Sequence, residues 1–547
     1  MTQGSPTFNL VDEPWITVVT TDGRCEDVSL LNAFVRARGI TRIVGEVPTQ
    51  SFAILRLLLA VLHRASGGPQ SVEQWVHARD DWDDAVGWVR GYLAAFHERF
   101  DLRDPAMPFF QVADLRSASD GVSGLAKLIA DVPNGEPYFT TRIGRGIERI
   151  SWAEAARWLV HVHAFDPAGI RTGAVGDPRA KGGKGYPIGP GWAGQLGGVH
   201  VVGETLAETL LLDLVVPHEI DVMSGPADLP PWERPPQDQC EDHSNGGQPR
   251  GLVDLYTWQA RRVRLDGDSE GVTGLVLAQG DRMTPQNRQT LEPLTGWRFS
   301  EPQTKKHGTQ TYMPREHSAE RAFWRGLSGL LPQVSDTVAG SAPARYQEPG
   351  VLQWVAKLRW RGELTAGHVR VRAIGVRYVS NQSTFDEIVD DELVVPLALL
   401  TDAVLAQAAV DGVAEAEAAV NQLANLAHNV ALAAGASTED EGPRERARER
   451  AYSQLDVPYR RWLIRLGEAD DVRESRVAWQ RELNDLAYGL SRDLVEQAGT
   501  AAWVGRRVKG RHVDLGLAEA WFLSGLRKVL TLAVAVELTP AAQEEIA

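Results

Sequence analysis

The chain is most constrained by four amphipathic segments that follow one another beyond residue 400. Each segment spaces apolar residues three and four positions apart, which is the period of an α-helix. Short linkers separate the segments, which cover residues 401–434, 443–467, 472–498 and 515–538. Because short linkers bring consecutive long helices together in opposite directions, the sequence predicts an antiparallel four-helix bundle.

The first 400 residues show a mixed pattern of short helices and strands. The opening "FNLVDEPWITVVTTDGRCEDVSL" predicts two strands joined by a turn at Asp22-Gly23. The stretch "QSFAILRLLLAVLHR" predicts a buried helix because it is apolar on most faces. We therefore predict an α+β protein, with an irregular mixed α/β domain over residues 1–398 and an all-α four-helix bundle over residues 399–547.

The charge of the chain is unevenly distributed. A formal net charge of −15 argues against general affinity for nucleic acid, because the phosphate backbone attracts Lys and Arg. Basic residues nevertheless cluster locally, for example at Arg261, Arg262 and Arg264. Local charge decides where a polyanion binds, so the net charge alone does not exclude such a partner.

Cysteine content and apolar runs predict the compartment. Cys25 and Cys240 are too few for a disulfide framework and indicate a reducing environment. Cys240 lies near His243, but no second ligand pair follows at the spacing of a zinc site, so we expect no metal. The longest apolar runs are too short and too charged to span a bilayer. We expect a cytoplasmic protein without membrane contact.

Residues 168–198 form an unusual segment with 11 glycines, four basic residues and one acid. Gly189, Gly191 and Gly194 match G-x-G-x-x-G formally, but prolines interrupt the approach and a strand-like run follows, so a dinucleotide fingerprint does not fit. Glycine lets backbone approach a partner closely. With four cations the segment predicts contact with a polyanion, and a flexible solvated loop is the alternative.

The stretch "HVRVRAIGVRYVSNQSTFDEIVDDELVVPL" predicts a β-hairpin with Asn381 and Gln382 at its tip. Favoured two-residue turns use Asn-Gly or Asp-Gly, because glycine adopts left-handed backbone readily. Gln382 has no such advantage, so we interpret its long amide as a side chain presented at the tip. The alternation of apolar residues changes beside Gly375, which predicts a β-bulge there.

The two strands of this hairpin carry opposite charges. Arginines lie on the first strand and acids on the second, namely Arg370, Arg372 and Arg377 against Asp386, Glu387 and Asp390. Opposite charges facing each other across a sheet attract, so we expect structural ion pairs between them.

No catalytic pattern stands out in the sequence. There is no G-x-S-x-G, no H-E-x-x-H and no cysteine beside a candidate base, so an enzyme is the weaker hypothesis. His161 and His163 lie two positions apart in a predicted helix, where they face apart. We expect them to be packing or surface residues rather than metal ligands.

These motifs together resemble the CasA family, the large subunit of the type I-E CRISPR Cascade surveillance complex. The matching features are "FNLVDEPWITV", "AFDPAG" with the glycine-rich basic segment after it, "YVSNQST" and the helical C-terminal region. They occur in this order across essentially the whole chain. The resemblance implies a non-enzymatic subunit without a cofactor, which recognises the protospacer-adjacent motif (PAM) of double-stranded DNA through the minor groove and starts R-loop formation.

The resemblance also implies partners and site residues. The partners are the other Cascade protein subunits, the CRISPR RNA (crRNA), the DNA target with its PAM and the helicase–nuclease of the system. Gln382 would be a wedge that parts the duplex, with Asn381 beside it. The glycine-rich segment would approach the minor groove over residues 182–198, through Lys184, Gly191, Gly194, Gly197 and Gly198.

Two further contacts follow from the same resemblance. A basic finger would also reach the minor groove, and its candidates are Arg288, Arg298 and Lys305. A loop around residues 130–146, with Arg142 and Arg145, would lie near the crRNA and neighbouring subunits. Two rival functions stay open at this point, a nucleotide-binding enzyme that uses the glycine-rich segment and a purely structural helical scaffold.

Overall fold

The computed structural model describes residues 7–119, 121–132, 142, 145–243, 245–332, 343–379 and 381–533. The chain divides into two compact units. The first comprises residues 1–323, 337–365 and 369–392, and the second comprises residues 324–336, 366–368 and 393–547. The α+β class is confirmed, since a mixed α/β region precedes a helical C-terminal region. The two units interleave along the chain, and a domain boundary between residues 398 and 399 stays a prediction.

Helices occur throughout the described chain. The α-helices are α1 Leu30–Val35, α2 Pro48–Ala65, α3 Val72–Asp80, α4 Trp82–Ala95, α5 Arg145–Glu148, α6 Trp152–Phe165, α7 Leu206–Asp213, α8 Leu252–Tyr256, α9 Glu301–His307, α10 Gly350–Trp360, α11 Ala398–Thr401, α12 Ala403–Ala434, α13 Gly442–Gly467, α14 Val472–Glu496, α15 Thr500–Val504 and α16 Leu515–Val529. Short 3-10 helices cover Ala37–Gly39, His97–Phe100, Leu125–Lys127, Trp192–Gln195, Pro217–Glu219, Pro231–Glu233 and Phe323–Gly329.

The strands form several small sheets. They are β1 Ile16–Thr20, β2 Cys25–Val28, β3 Ile40–Ile43, β4 Arg171–Thr172, β5 Lys184–Gly185, β6 Gly197–Val202, β7 Arg261–Gly267, β8 Val272–Gln279, β9 Trp297–Phe299, β10 Tyr312–Pro314, β11 Tyr346–Gln347, β12 His368–Val379, β13 Thr384–Pro396, β14 Arg506–Val508 and β15 Arg511–Val513. The strand orders are β2-β1-β3, β5-β4-β8-β7, β10-β9-β11, β13-β12-β6 and β14-β15.

Helix α2 is buried along almost its whole length, as its sequence predicts. Its one buried arginine, Arg56, is held by Glu292 through two hydrogen bonds of 3.0 and 2.8 Å. Trp192 donates to the same carboxylate from its indole at 2.8 Å. A buried charge is tolerated only when it is paired and hydrogen-bonded, and this pair meets both conditions. It also fixes the 3-10 helix Trp192–Gln195 against the core.

Strand β12 is the central strand of its sheet, between β13 and β6. It pairs antiparallel with β6 in one continuous register, from Arg370 opposite Val202 to Gly375 opposite Gly197. The pairing with β6 therefore shows no bulge beside Gly375. The apolar residues change their alternation there because the strand is buried on both faces around Ile374.

The C-terminal helices α12, α13 and α14 meet at a cluster of aromatic rings. Gly412 of α12 leaves room for the Trp462 ring, on which a Cβ would impinge. Trp462 stacks on Trp479 with 5.2 Å between ring centroids. Trp479 donates to the Gly412 carbonyl at 3.1 Å, and Tyr459 donates to the Ala409 carbonyl at 2.9 Å. Paired polar ends let these large rings be buried with their hydrogen bonds intact.

A segment from earlier in the chain completes this cluster. Trp324 stacks on Tyr459 with 4.3 Å between ring centroids. Its indole donates to the Asp456 carboxylate at 2.9 Å. Among the described helices, none combines the length and the apolar character needed to cross a membrane.

Several histidines are buried where a charged ring would be strongly disfavoured. Burial lowers the pKa of His63, His161, His163 and His200 from 6.5 to about 3. His161 lies 2.9 Å from the Thr49 hydroxyl, and His163 lies 2.9 Å from the Phe110 carbonyl. Of the two expected roles, packing or surface, the structure gives His161 and His163 the packing role.

These histidines make stability depend on pH. A base whose pKa is lower in the folded state binds more protons when unfolded, so its contribution is present above pH 6.5 and is lost as the pH falls below it. Each such histidine should remove about 1.4 kcal/mol of unfolding free energy per pH unit below 6.5. Burial raises the pKa of Asp228 to about 6, and this carboxyl acts in the opposite direction.

We predict that His63→Gln lowers the number of protons taken up on unfolding by about one. The unfolding free energy should then change with pH by about 1.4 kcal/mol less per pH unit between pH 6 and 5. Urea denaturation of wild type and variant at each pH gives the difference, in which Asp228 and the other groups cancel. Exposed His218→Gln is the matched control. Parallel stability curves for wild type and His63→Gln would contradict the assignment.

Candidate nucleic-acid interface

The tip of the hairpin formed by β12 and β13 has an unusual backbone. Asn381 and Gln382 both lie in the left-handed region, with φ of 57° and 60°. Both side chains are exposed. The Ser383 amide closes the turn by donating to the Val379 carbonyl at 3.1 Å. For residues other than glycine this conformation costs about 1–2 kcal/mol each, and asparagine tolerates it better than glutamine.

The base of the tip is held against the end of α6. Tyr378 donates from its hydroxyl to the Phe165 carbonyl at 2.7 Å. Its ring contacts buried Phe385 across the hairpin, with 5.3 Å between centroids. Phe385 in turn lies 6.3 Å from the ring of His161. The two exposed residues thus stand on a base whose side chains are packed and hydrogen-bonded.

The glycine-rich segment is not the structureless loop that its composition suggests. It contains strands β4 and β5, which pair with Arg171 opposite Gly185 and Thr172 opposite Lys184. The 3-10 helix Trp192–Gln195 follows, and then β6. Because β6 runs antiparallel to β12, residues just before Gly197 continue alongside the upper part of the hairpin.

The later glycines of this segment face the protein interior. A Cβ on Gly191 would overlap the Ala164 carbonyl, one on Gly194 the Tyr378 hydroxyl, and one on Gly197 the Arg315 carbonyl. A Cβ on Gly198 would lie 2.7 Å from the Ile374 carbonyl oxygen. These four glycines allow the chain to pack on itself, and the approach of a partner at the same positions stays a prediction.

Asp166 joins the start of this segment to its end. Its carboxylate accepts from Arg171 at 2.7 Å and from Arg261 at 2.5 Å. Arg261 also donates to the Gly189 carbonyl at 3.0 Å, and the Gly191 amide donates to the Asp166 carbonyl at 2.9 Å. The beginning and the later part of the glycine-rich segment are therefore both anchored at one buried ionic cluster, formed by Asp166, Arg171 and Arg261.

This cluster also corrects the interpretation of a basic patch. Arg261 and Arg262 are buried, and Arg262 pairs with Asp281 at 2.7 Å. Their charges are neutralised inside the protein and are not presented to a polyanion. The sequence pattern was misleading because the partner carboxylates lie far away in the chain.

The turn of the segment is exposed. Lys181 and Lys184 exchange backbone hydrogen bonds of 2.9 and 3.2 Å across Gly182 and Gly183. Both glycines have positive φ, 60° and 73°, as a tight two-residue turn requires. The two lysines are exposed, and neither forms an ion pair within the described chain. The lysine turn thus presents two unneutralised cations.

The lysine turn and the hairpin tip lie on neighbouring elements. Lys184 is opposite Thr172, one position from Arg171. Arg171, Asp166 and Ser383 line the same cavity of about 30 Å³. Ser383 belongs to the turn that carries Gln382, so this turn and β4, the strand that pairs with Lys184, line one cavity.

The three finger candidates differ in their surroundings. Arg288 is half-buried and donates to the Thr284 carbonyl at 2.9 Å and to the Gln248 side chain, so its guanidinium is already engaged. Arg298 is exposed on β9. Lys305 lies on α9, a helix without a buried residue that connects β9 to β10 and carries Lys306 and His307 beside it.

Arg142 is engaged within the protein. It contacts three carboxylates, those of Glu46, of Asp131 at 3.6 Å and of Glu154 at 2.6 Å. A guanidinium held by three acids anchors this part of the chain and binds a phosphate only if these pairs are broken. Arg145 begins α5, and its side chain lies outside the described part, as do residues 133–141, 143 and 144 of the same loop.

The charged residues of the hairpin strands are paired, as expected from the sequence. Arg372 binds Asp390 at 2.7 Å, and Arg377 binds Asp386 at 2.7 Å and Glu387 at 2.9 Å. Arg370 instead contacts Glu204 at 3.2 Å. These arginines stabilise the hairpin sides, which leaves the uncharged tip as the distinctive exposed feature.

Sequence reasoning missed two residues of this interface. Lys181 lies in the same turn as Lys184, and the pattern K-G-G-K could have indicated a hairpin turn with a cation on each side. Tyr378 was noted only as part of the strand, and its role depends on Phe165, which is 213 positions away. No local signal predicts such a contact.

Comparisons with known proteins agree with this architecture. A family model described as CRISPR-associated protein Cse1 matches residues 9–490. The crystal structure of Thermobifida fusca Cse1 is 44% identical and matches with a TM-score of 0.89, over 97% of this chain and 100% of that one. A chain of a structure described as a CRISPR RNA-guided surveillance complex has the same fold, at 18% identity and a TM-score of 0.64, over 89% of this chain and 99% of that one.

The class of protein follows from these matches, since the chain is a CRISPR-associated protein. A curated relative from Thermus thermophilus, CRISPR-associated protein CasA/Cse1, is 31% identical over 407 residues, 72% of each chain. The chain belongs to the Cse1 family. The resemblance to the CasA family drawn from the sequence is confirmed.

We predict that Gly194→Ala destabilises the protein by about 1–3 kcal/mol, because its Cβ must displace the Tyr378 hydroxyl. In a Tyr378→Phe background the same substitution should cost less, since the nearest obstructing atom is gone. Unfolding free energies of the four proteins form a double-mutant cycle that measures this coupling. Additive effects would mean that Gly194 and Tyr378 do not obstruct each other.

Proposed function

We propose that this protein is the non-catalytic large subunit of a crRNA-guided Cascade complex. In this role it recognises the PAM of double-stranded DNA through the minor groove, wedges the duplex open beside it and provides a docking surface for the helicase–nuclease. The other Cascade subunits, the crRNA and the DNA target are its partners. Membership of the Cse1 family supports the assembly, and the hairpin tip supports the wedge.

The observation that carries the wedge is the strained turn at Asn381 and Gln382. Two consecutive residues other than glycine hold φ of 57° and 60°, where glycine would avoid the strain. The Gln382 side chain is exposed, so packing does not account for its presence. Strain of this kind is maintained at functional sites, where the side chain itself is needed. A glutamine can occupy an opened base step and hydrogen-bond to the separated bases.

The base of the hairpin supports the same role. A wedge must offset the free energy that the bases regain when they restack, which is about a few kcal/mol per base step. Tyr378 and Phe385 fix the turn against the end of α6 through a 2.7 Å hydrogen bond and ring contacts. If the backbone of the tip were mobile, the tip would be displaced before the stacked bases separated.

The cations near the wedge fit a minor-groove approach. Lys181 and Lys184 stand on a narrow glycine turn that presents charge without bulk. We propose Lys305 as the finger, because α9 has no buried residue and, among the described residues, its ion pair is with Glu301 at 2.6 Å. Such an exposed i,i+4 pair is worth about 0.5 kcal/mol or less, so a phosphate can replace it.

We predict that Gln382→Gly separates function from stability. Removing the left-handed strain should leave the unfolding free energy unchanged or raise it by up to about 1 kcal/mol. R-loop formation by the reconstituted complex on an intact duplex should slow by about tenfold, because unstacking loses its support. Gln382→Ala is the matched control, since it removes the amide but keeps a Cβ at the strained position.

A duplex already mismatched beside the PAM provides the contrast for this prediction. On that target the unstacking step is complete beforehand, so both variants should behave nearly as wild type does. Stopped-flow fluorescence of a base analogue beside the PAM measures opening on both targets. Equal slowing on the intact and the mismatched duplex would rule out a wedge at Gln382.

We further predict that Lys181→Ala/Lys184→Ala weakens binding of the complex to PAM-containing duplex and lowers the salt dependence. Each phosphate that the variant no longer binds should reduce the slope of log K against log salt by about 0.9. Arg38→Ala/Arg90→Ala is the control, because both arginines are exposed and unpaired within the described chain. An equal change of slope in the control would show that net charge, and not this turn, is responsible.

A further inference from the structure

A second cluster of unneutralised cations lies in the C-terminal unit, on the short hairpin of β14 and β15. The strands pair with Arg506 opposite Val513, Arg507 opposite His512 and Val508 opposite Arg511. Lys509 and Gly510 form the turn, with φ of 49° and 82°. The hairpin is therefore a tight element with two-residue turn geometry.

One face of this hairpin anchors it to the helices. Val508 and Val513 belong to an apolar cluster with Ala433 of α12 and Ala502 of α15. The position of the hairpin is set by this packing. Its basic side chains are thus presented from a fixed element.

Four cations of the hairpin are exposed: Arg506, Arg507, Lys509 and Arg511. None of them pairs with a carboxylate within the described chain, whereas His512 lies 3.1 Å from Asp514. The stretch from residue 497 to residue 513 contains no acid, although the chain carries a net charge of −15. Like charges gathered this closely repel one another unless a polyanion lies between them.

An exposed aromatic ring stands immediately before the hairpin. Trp503, near the end of α15, is 61% exposed, although most tryptophans of the chain are buried. Val504 beside it is 72% exposed. An exposed tryptophan a few residues from several exposed cations is the combination that binds single strands, because the cations meet phosphates and the ring stacks on a base. A duplex would hide its base faces from this ring.

We propose that the hairpin of β14 and β15, together with Trp503, binds single-stranded nucleic acid through its phosphates and one stacked base. This site is independent of the wedge, since it lies in the other compact unit and uses none of the same residues. It reads no sequence, because its contacts are charge and stacking. Its ligand is a separated strand, and the site is active in the chain without a guide or a PAM.

The test measures binding of the full chain to a fluorescent 20-nucleotide oligo-dT by anisotropy at low ionic strength. Arg507→Glu/Arg511→Glu should weaken binding at least tenfold and reduce the salt slope by about 1.4, or 0.7 for each phosphate that is no longer bound. Trp503→Ala should weaken oligo-dT binding by about five- to tenfold with an unchanged salt slope. It should leave binding of a 20-base-pair duplex unaltered.

Two further variants keep the test decisive. Arg473→Glu/Arg481→Glu changes the charge of α14 by the same amount at exposed positions without ion pairs in the described chain, and should change binding less than twofold. Lys509→Gly removes a cation while relieving a left-handed residue, so it should fold at least as well as wild type and bind two- to threefold more weakly.

Three results would overturn the proposal. The first is an equal decrease of affinity in the α14 control, which would mean that bulk charge governs binding. The second is a Trp503→Ala variant that binds oligo-dT as wild type does. The third is displacement of oligo-dT by polyglutamate as effectively as by unlabelled oligo-dT, which would assign the surface to an acidic protein. Gln382 variants should bind oligo-dT as wild type does, so this test and the wedge test fail separately.

Discussion

The end of helix α6 is the point on which the interface depends. A helix leaves its last carbonyls without partners, and its C-terminal end carries partial negative charge. Here the Phe165 carbonyl accepts from Tyr378, and the Asp166 carbonyl accepts from Gly191. The Asp166 carboxylate adds negative charge at the same place, which would be unfavourable without Arg171 and Arg261. The two guanidiniums neutralise both the carboxylate and the helix end.

This arrangement makes the hairpin and the glycine-rich segment parts of one structure. Tyr378 fixes the base of the hairpin tip. Gly191 and Arg261 fix the later part of the glycine-rich segment, around residues 189–191. All three are hydrogen-bonded to residues 165–167 or to Gly189. Removing one partner of a buried pair costs about 3–5 kcal/mol, so a change at Asp166 would loosen both elements together. Their positions relative to each other are therefore set by buried charge rather than by the loop sequence.

Sequence reasoning was most successful where local pattern determines structure. The period of three to four residues located α12, α13 and α14 to within a few residues. Composition was misleading in the glycine-rich segment. Its many glycines are typical of both a mobile loop and a chain packed tightly on itself, and only the positions of Ala164, Tyr378 and Arg315 distinguish the two. Buried ion pairs such as Arg262 with Asp281 could not be predicted either, because the sequence does not distinguish a solvated arginine in a strand from a buried, paired one.

Trp324 packs in the helical unit although it precedes the long helices in the chain, and this affects the order in which contacts form during synthesis. Its partner Asp456 follows 132 positions later, so a nascent chain exposes the indole long before α13 leaves the ribosome. Contacts across such a separation close late and slowly, because loop closure must precede them. A fragment beginning at residue 399 would contain α12, α13, α14 and α16 but would leave the surface of Tyr459 that stacks on Trp324 uncovered. The packing of Trp324 on Tyr459 therefore forms only after α13 has been translated, late in the synthesis of the chain.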